Sequence, residues 1–189
     1  MTLLALTFYL TGLLATLTAA FTAALYDLAA YRIPNILSGV VIAGFLVAYS
    51  GFYLTSGGAP LWMGSLSAHG LAAGIMFIVT FLLFATRVMG AGDAKLSSAL
   101  ALWLLPHPGL ALFVVYTSFF GGGLAVATLF LHRFKPFSGV REGSWIAAAQ
   151  AGKNRIPYGV AIAGGFTLTL LLAGAFDFTT IINAVENKN

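Results

Sequence analysis

Cysteine is absent from the 189-residue chain, which therefore has no disulfide, no thiol nucleophile and no cysteine-ligated metal. Charge is almost as scarce. Asp, Glu, Lys and Arg make up 7% of the residues, against about 25% in soluble globular domains. With 60% hydrophobic residues and a mean hydropathy of +0.96, a water-soluble domain is excluded and a polytopic membrane protein is indicated. There is no His-Glu-x-x-His run, and His69, His107 and His132 are expected in separate loops, so a zinc hydrolase finds no support. A serine protease built on Ser65 or Ser67 with His69 lacks the Gly-x-Ser-Gly signature, and "MGSLSAHG" reads as an ordinary outer turn.

What the chain does have is long apolar runs. Residues 3–25, 36–54, 68–86, 109–131 and 158–176 carry no charge and are long enough, or nearly so, to cross a bilayer. A sixth stretch, Ala94 to Leu105, is short, and charge placement decides its role. If all six cross, Arg32, Arg87, Lys95, Arg133, Lys135, Arg141, Lys153 and Arg155 fall on one side and only Lys188 on the other, as cytoplasmic loops require. The expected fold is an all-α polytopic membrane protein of six transmembrane helices in one domain, residues 1–189, with both termini outside. The first helix has no basic flank and no small-residue exit, so it reads as a retained span. The formal net charge of +4 reflects basic loops against anionic lipid and implies no nucleic-acid partner. The segment from His132 to Pro157 is expected to be the one longer loop. "GLAAG" at 70–74, Gly121–Gly123 and Gly164 with Gly165 are expected to allow close helix packing.

Of the five acids, Asp177, Glu186 and Glu142 lie in the tail or the large loop, where water solvates them. Asp27 follows a charge-free run of 26 residues, and Asp93 sits in "MGAGDAKL" at the start of the short fourth span. Both are expected at the cytoplasmic boundary, where an ionisable group is costly and usually has a function. A structural reading stays open: Asp27 pairing with Arg32, and Asp93 capping a helix or pairing with Lys95 or Arg87. Gly90 and Gly92 favour function, because they let another chain approach the carboxylate and permit positive φ.

"GAGDAKL" resembles the GxGD signature of intramembrane aspartic proteases, and "DLAAYRIPN" at 27–35 is similar to the first-aspartate motif of type IV prepilin peptidases. The ordered set, completed by "IPYGVAIAGG" at 156–165, most resembles the short tight-adherence (Flp pilus) branch. The resemblance implies an aspartic endopeptidase of the bacterial inner membrane that removes short leaders from prepilins. It implies catalytic Asp27 and Asp93, a site shaped by Gly90, Gly92, Lys95, Pro34 and Asn35, and substrate contacts at Arg32, Arg155 and Tyr158. Relatives often carry extra basic residues where this chain has Ala29 and Tyr31. The cysteine zinc site of the long prepilin peptidases is missing, which implies cleavage without N-methylation.

That chemistry needs two carboxylates, one ionised to take a proton from water and one protonated to polarise the scissile carbonyl, and no metal or cofactor. Asp93 at a helix amino end and Asp27 near a helix carboxyl end lead to the expectation that Asp93 is the ionised member. The competing function is a small proton-coupled transporter with the same two acids as proton relays. The oligomeric state, the particular prepilin and the role of Lys95 are not legible in the sequence.

Overall fold

A charge-free run in lipid can satisfy its backbone only by closing hydrogen bonds on itself, and these runs do so as helices. The computed structural model describes residues 2–56, 64–153, 156–173 and 175. Among these the elements are α1 (Thr2–Ala30), α2 (Asn35–Ser56), α3 (Leu66–Ala85), α4 (Ala91–Ala101), α5 (Gly109–Phe134), α6 (Trp145–Gln150) and α7 (Tyr158–Leu172), with no strand. α1, α2, α3 and α5 are long and apolar enough to cross a membrane, and α7 is a shorter apolar helix. α4 has only 11 residues. Large apolar side chains point outward along these helices, among them Phe77, Ile78, Phe81 and Leu82 of α3 and Phe119, Val126 and Leu129 of α5, as surfaces that face lipid do.

Three boundaries differ from the sequence expectation, each for a local reason. α1 runs on to Ala30, so Asp27 lies inside the helix and not just after it. α4 starts at Ala91, which places Asp93 in its first turn. The expected plain loop between His132 and Pro157 contains α6, because Ser144 caps that helix by accepting from Ala147 N–H at 3.3 Å. The loop is tied back by Trp145 Nε1 donating to Thr128 Oγ1 at 3.2 Å and by a two-way pairing of Gln150 with the Phe137 backbone.

The glycines also redistribute. Tight helix crossing occurs between α1 and α2, where Gly12 and Gly44 face each other, and between α7 and α5, where Gly165 abuts Thr117 and Gly164 abuts Phe120. Gly70, Gly74, Gly122 and Gly123, expected to serve the same purpose, face open space. At the end of the bundle far from the two acids, Tyr9, Phe45, Phe52, His69 and Trp103 pack as one aromatic cluster, with Phe45 and His69 ring centroids 5.0 Å apart. His69 is therefore a buried residue of α3, not a loop residue. Ser65 is the cap of α3, accepting from Ala68 N–H, and it pairs with Ser67. His132 likewise sits in the last turn of α5.

The two acid-bearing helices are held together indirectly. α1 packs mainly on α2 and α7, whereas α4 packs mainly on α3, then α2, then α7. The α3–α4 seam is polar: Thr80 Oγ1 donates to Met76 O at 2.8 Å and lies 3.2 Å from Ser98 Oγ, which itself donates to Ala94 O at 2.7 Å.

Candidate active site

Asp27 and Asp93 come together across a cleft of about 550 Å³, lined also by Tyr31, Phe84, Arg87, Met89, Gly90, Ile156 and Tyr158. A second, smaller recess on the same two acids is lined by Arg32, Ile33, Ala91 and Gly92. The sequence placed these acids 66 positions apart on one face. The fold brings both to the lining of one cleft.

Asp27 is 6% exposed. Its Oδ2 accepts a 2.7 Å hydrogen bond from the backbone N–H of Gly159, in the first turn of α7. Hydrogen bonds to a carboxylate are short and strong, so this contact fixes the rotamer of Asp27 as well as solvating it. Gly159 has no room for a side chain: a methyl group there would lie 3.0 Å from Asp27 Cβ, 3.1 Å from Asp27 Oδ2 and 3.1 Å from Ile33 Cδ1. Sequence reasoning passed over Gly159. The signal was the second "RIP" at 155–157, which repeats the one at 32–34 and delivers a helix start to the same place.

Asp93 occupies the third position after the cap residue Gly90, from which an acid reaches back to the cap N–H. Its Oδ2 lies over Gly90, where an added methyl would come within 2.8 Å of it. Its Oδ1 is buried without a hydrogen-bond partner. A buried polar atom left in that state calls for a functional explanation. Capping thus uses one oxygen of Asp93 and leaves the other buried and unpaired.

The motif glycines act differently from the expectation. Gly90 has φ −72°, and neither it nor Gly92 is among the positive-φ residues. The chain that approaches Gly92 is the protein's own: a methyl there would lie 3.0 Å from Ile33 Cβ and 3.3 Å from Ile33 O. Ile33 is thereby wedged between Gly92 of α4 and Gly159 of α7. Left-handed backbone occurs instead at Tyr31 (φ 53°) and Arg87 (φ 61°), both lining the cleft. Arg87 closes α3 with N–H bonds from Arg87 to Phe84 O and from Val88 to Leu83 O, a C-cap at which glycine is usual. Non-glycine residues in this region carry strain of about 1–3 kcal/mol and gather at functional sites.

The remaining expected residues separate. Tyr158 lines the main cleft and Arg32 the smaller recess. Among the described residues Lys95 meets no acid, and it donates from Nζ to Asn35 Oδ1 at 3.1 Å. Pro34 precedes α2 and accepts from Leu37 N–H. Arg155 lies outside the described residues. Among the described residues no three of His, Cys, Asp and Glu cluster in a way that could hold a metal.

The type IV leader peptidase family model matches residues 13–126, three fifths of the chain, a stretch that contains both Asp27 and Asp93. The chain belongs to the type IV leader peptidase family. No curated protein and no solved structure matches it significantly. The family makes it a protease, and with four spanning-length apolar helices it is an integral membrane protein. The matched region ends before α6 and α7, so Gly159 and Tyr158 enter the site from outside it.

Proposed function

We propose that the peptidase is an aspartic endopeptidase that removes the short leader of Flp-type prepilins at the cytoplasmic face of the bacterial inner membrane. The observation that carries this reading is the convergence of Asp27 and Asp93 on one cleft, in a chain of the leader peptidase family. In this reading α4 and α7 insert beside the four long helices, giving six crossings with both termini outside. The cleft then opens at the level of the basic loops, where the junction between a leader and an apolar pilin helix lies. The family match favours this activity over proton-coupled transport by the same two acids.

Both carboxylates meet the amino end of a helix, Asp93 that of α4 and Asp27 that of α7. The dipole argument from sequence therefore no longer separates them, because α7 was not visible beside Asp27. Each acid accepts one backbone N–H, Asp27 from Gly159 and Asp93 from Gly90, and the unpaired Oδ1 of Asp93 favours the opposite assignment. Asp27, already an acceptor from Gly159, is suited to act as the base. Asp93, with Oδ1 unpaired, is suited to hold the proton and donate it to the scissile carbonyl.

The reaction runs through a tetrahedral intermediate. Asp27 takes a proton from water as the resulting hydroxide bonds to the scissile carbon, while Asp93 gives its proton to the carbonyl oxygen. On collapse the C–N bond breaks, the leaving nitrogen takes the proton from Asp27, and Asp93 recovers a proton as the carboxyl product forms. The dyad returns to its starting state with one water consumed. Gly90, Gly92 and Gly159 hold the two acids in register, and Tyr158, Arg87 and Arg32 line the path of the substrate.

The test is co-expression with candidate Flp-type prepilins, reading leader removal on a gel. Asp27→Asn and Asp93→Asn should each abolish processing. Full processing by both variants would end the protease reading, while transport retained by Asp→Glu variants without any cleavage would favour the carrier.

A further inference from the structure

Residues two apart on a helix lie about 200° apart around its axis. Lys95 thus leaves α4 on the side opposite Asp93, and its ammonium is bound to the Asn35 side chain. Asn35 is the first residue of α2 and follows the four-residue connection, 31–34, that leaves α1 after the turn containing Asp27. That connection is gripped on its other side. Ile33 rests on Gly92 at the start of α4 and on Gly159 at the start of α7. Tyr31 anchors its beginning, donating its N–H to Asp27 O at 2.9 Å with φ 53°.

The link has a purpose that the packing makes plain. α1 and α4 each use α2 and α7 as their shared neighbours. The position of Asp93 relative to Asp27 is therefore set through α2, through α7 and through the α1–α2 connection that touches α4 and α7, and not through a broad α1–α4 interface. The glycine contacts set how closely α4 can approach that connection. Thr80 and Ser98 orient α4 against α3, and the Lys95–Asn35 hydrogen bond orients it against the α1–α2 connection.

We propose that Lys95 is a positioning residue: by holding Asn35 it orients α4 so that Asp93 faces Asp27, and it acts neither as a counter-charge to the dyad nor as a lipid anchor. The proposal rests on the reading of Asp27 and Asp93 as the catalytic pair. It assigns to Asn35 the role of a fixed post, for which an acceptor oxygen at that spot is the requirement. A carboxylate there would serve as well as the amide.

The test uses the full-length peptidase in vesicles of zwitterionic lipid and, separately, of mixed anionic lipid. The probe is a synthetic substrate with a basic leader, a glycine before the cut and an apolar helix after it. Lys95→Met and Asn35→Leu should each lower kcat by about tenfold or more with KM little changed, because a misplaced reacting group slows chemistry more than binding. The double variant should be no slower than the slower single one, the mark of one shared interaction. Asn35→Asp should retain most of the parent activity, which also shows that the site tolerates change without unfolding. Losses that multiply in the double variant, a loss seen only in anionic vesicles, or a change confined to KM would overturn the proposal. If Asp27→Asn and Asp93→Asn cleave as the parent does, the catalytic reading itself fails. If they are inactive while Lys95→Met is fully active, only the positioning role fails.

Discussion

Replacing Gly159 with alanine isolates what the amino end of α7 does for Asp27. The added methyl would stand 3.0 Å from Asp27 Cβ and 3.1 Å from its Oδ2, where relaxed carbon contacts lie at about 3.5–4.0 Å. Something must move by about half an ångström, and the neighbours are a backbone-anchored carboxylate and Ile33, itself pinned against Gly92. The 2.7 Å bond from Gly159 N–H to Asp27 is the first casualty. A hydrogen bond to a charged group contributes about 1.5–3 kcal/mol, and each 1.36 kcal/mol is about tenfold in rate. A fall in kcat of about 10- to 100-fold follows. Helix propensity works in the other direction, since alanine is favoured over glycine by about 1 kcal/mol within a helix. That gain offsets part of the overpacking, which costs about 1–3 kcal/mol. The folded state should survive, seen as an unchanged far-ultraviolet circular dichroism spectrum, while cleavage of a leader substrate slows at saturating concentration. A Gly159→Ala enzyme with kcat within about twofold of the parent would refute the claim that α7 fixes the geometry of Asp27.

The other predictions concern the opposite acid and the topology. Gly92→Ala drives a methyl to 3.0 Å from Ile33 Cβ and 3.3 Å from a carbonyl oxygen that cannot rotate away, so cleavage should drop by at least about tenfold; parental activity would show that Ile33 does not seat on α4. Infrared spectra should show a protonated carboxyl band that persists in Asp27→Asn and vanishes in Asp93→Asn, and the reverse pattern would assign the proton to Asp27. Single cysteines introduced at Ser56 and Ser138 of this cysteine-free chain should be labelled from opposite sides of the membrane, and labelling of both from one side would sink the six-crossing arrangement.

Much of the molecule was legible because lipid imposes a simple rule: charge-free runs become helices, and their lengths were nearly right. What the sequence could not show was where helices end once a polar residue is tolerated. Asp27 reads as a terminator, yet α1 passes through it, because Gly159 supplies the hydrogen bond that makes its burial acceptable. Asp93 was found by its flanking glycines, but the reason given for them was incomplete. Their missing side chains make room for Asp93's own carboxylate and for Ile33, contacts that exist only after α1, α4 and α7 have docked. The same limit hid Lys95, whose partner Asn35 lies 60 positions away. His107 does lie in the turn between α4 and α5, but His69, which reads as a turn residue, has its ring buried against Phe45 and Tyr49.

The bond between Gly159 and Asp27 spans 132 positions of chain. Membrane helices are delivered to the bilayer in order as the ribosome makes them, so both acids are in place long before α7 is synthesised. Until then Asp27 lacks its backbone donor and the cleft lacks the wall formed by Ile156 and Tyr158. The nascent chain thus carries both acids and the matched family region before α7 brings the Gly159 N–H to Asp27.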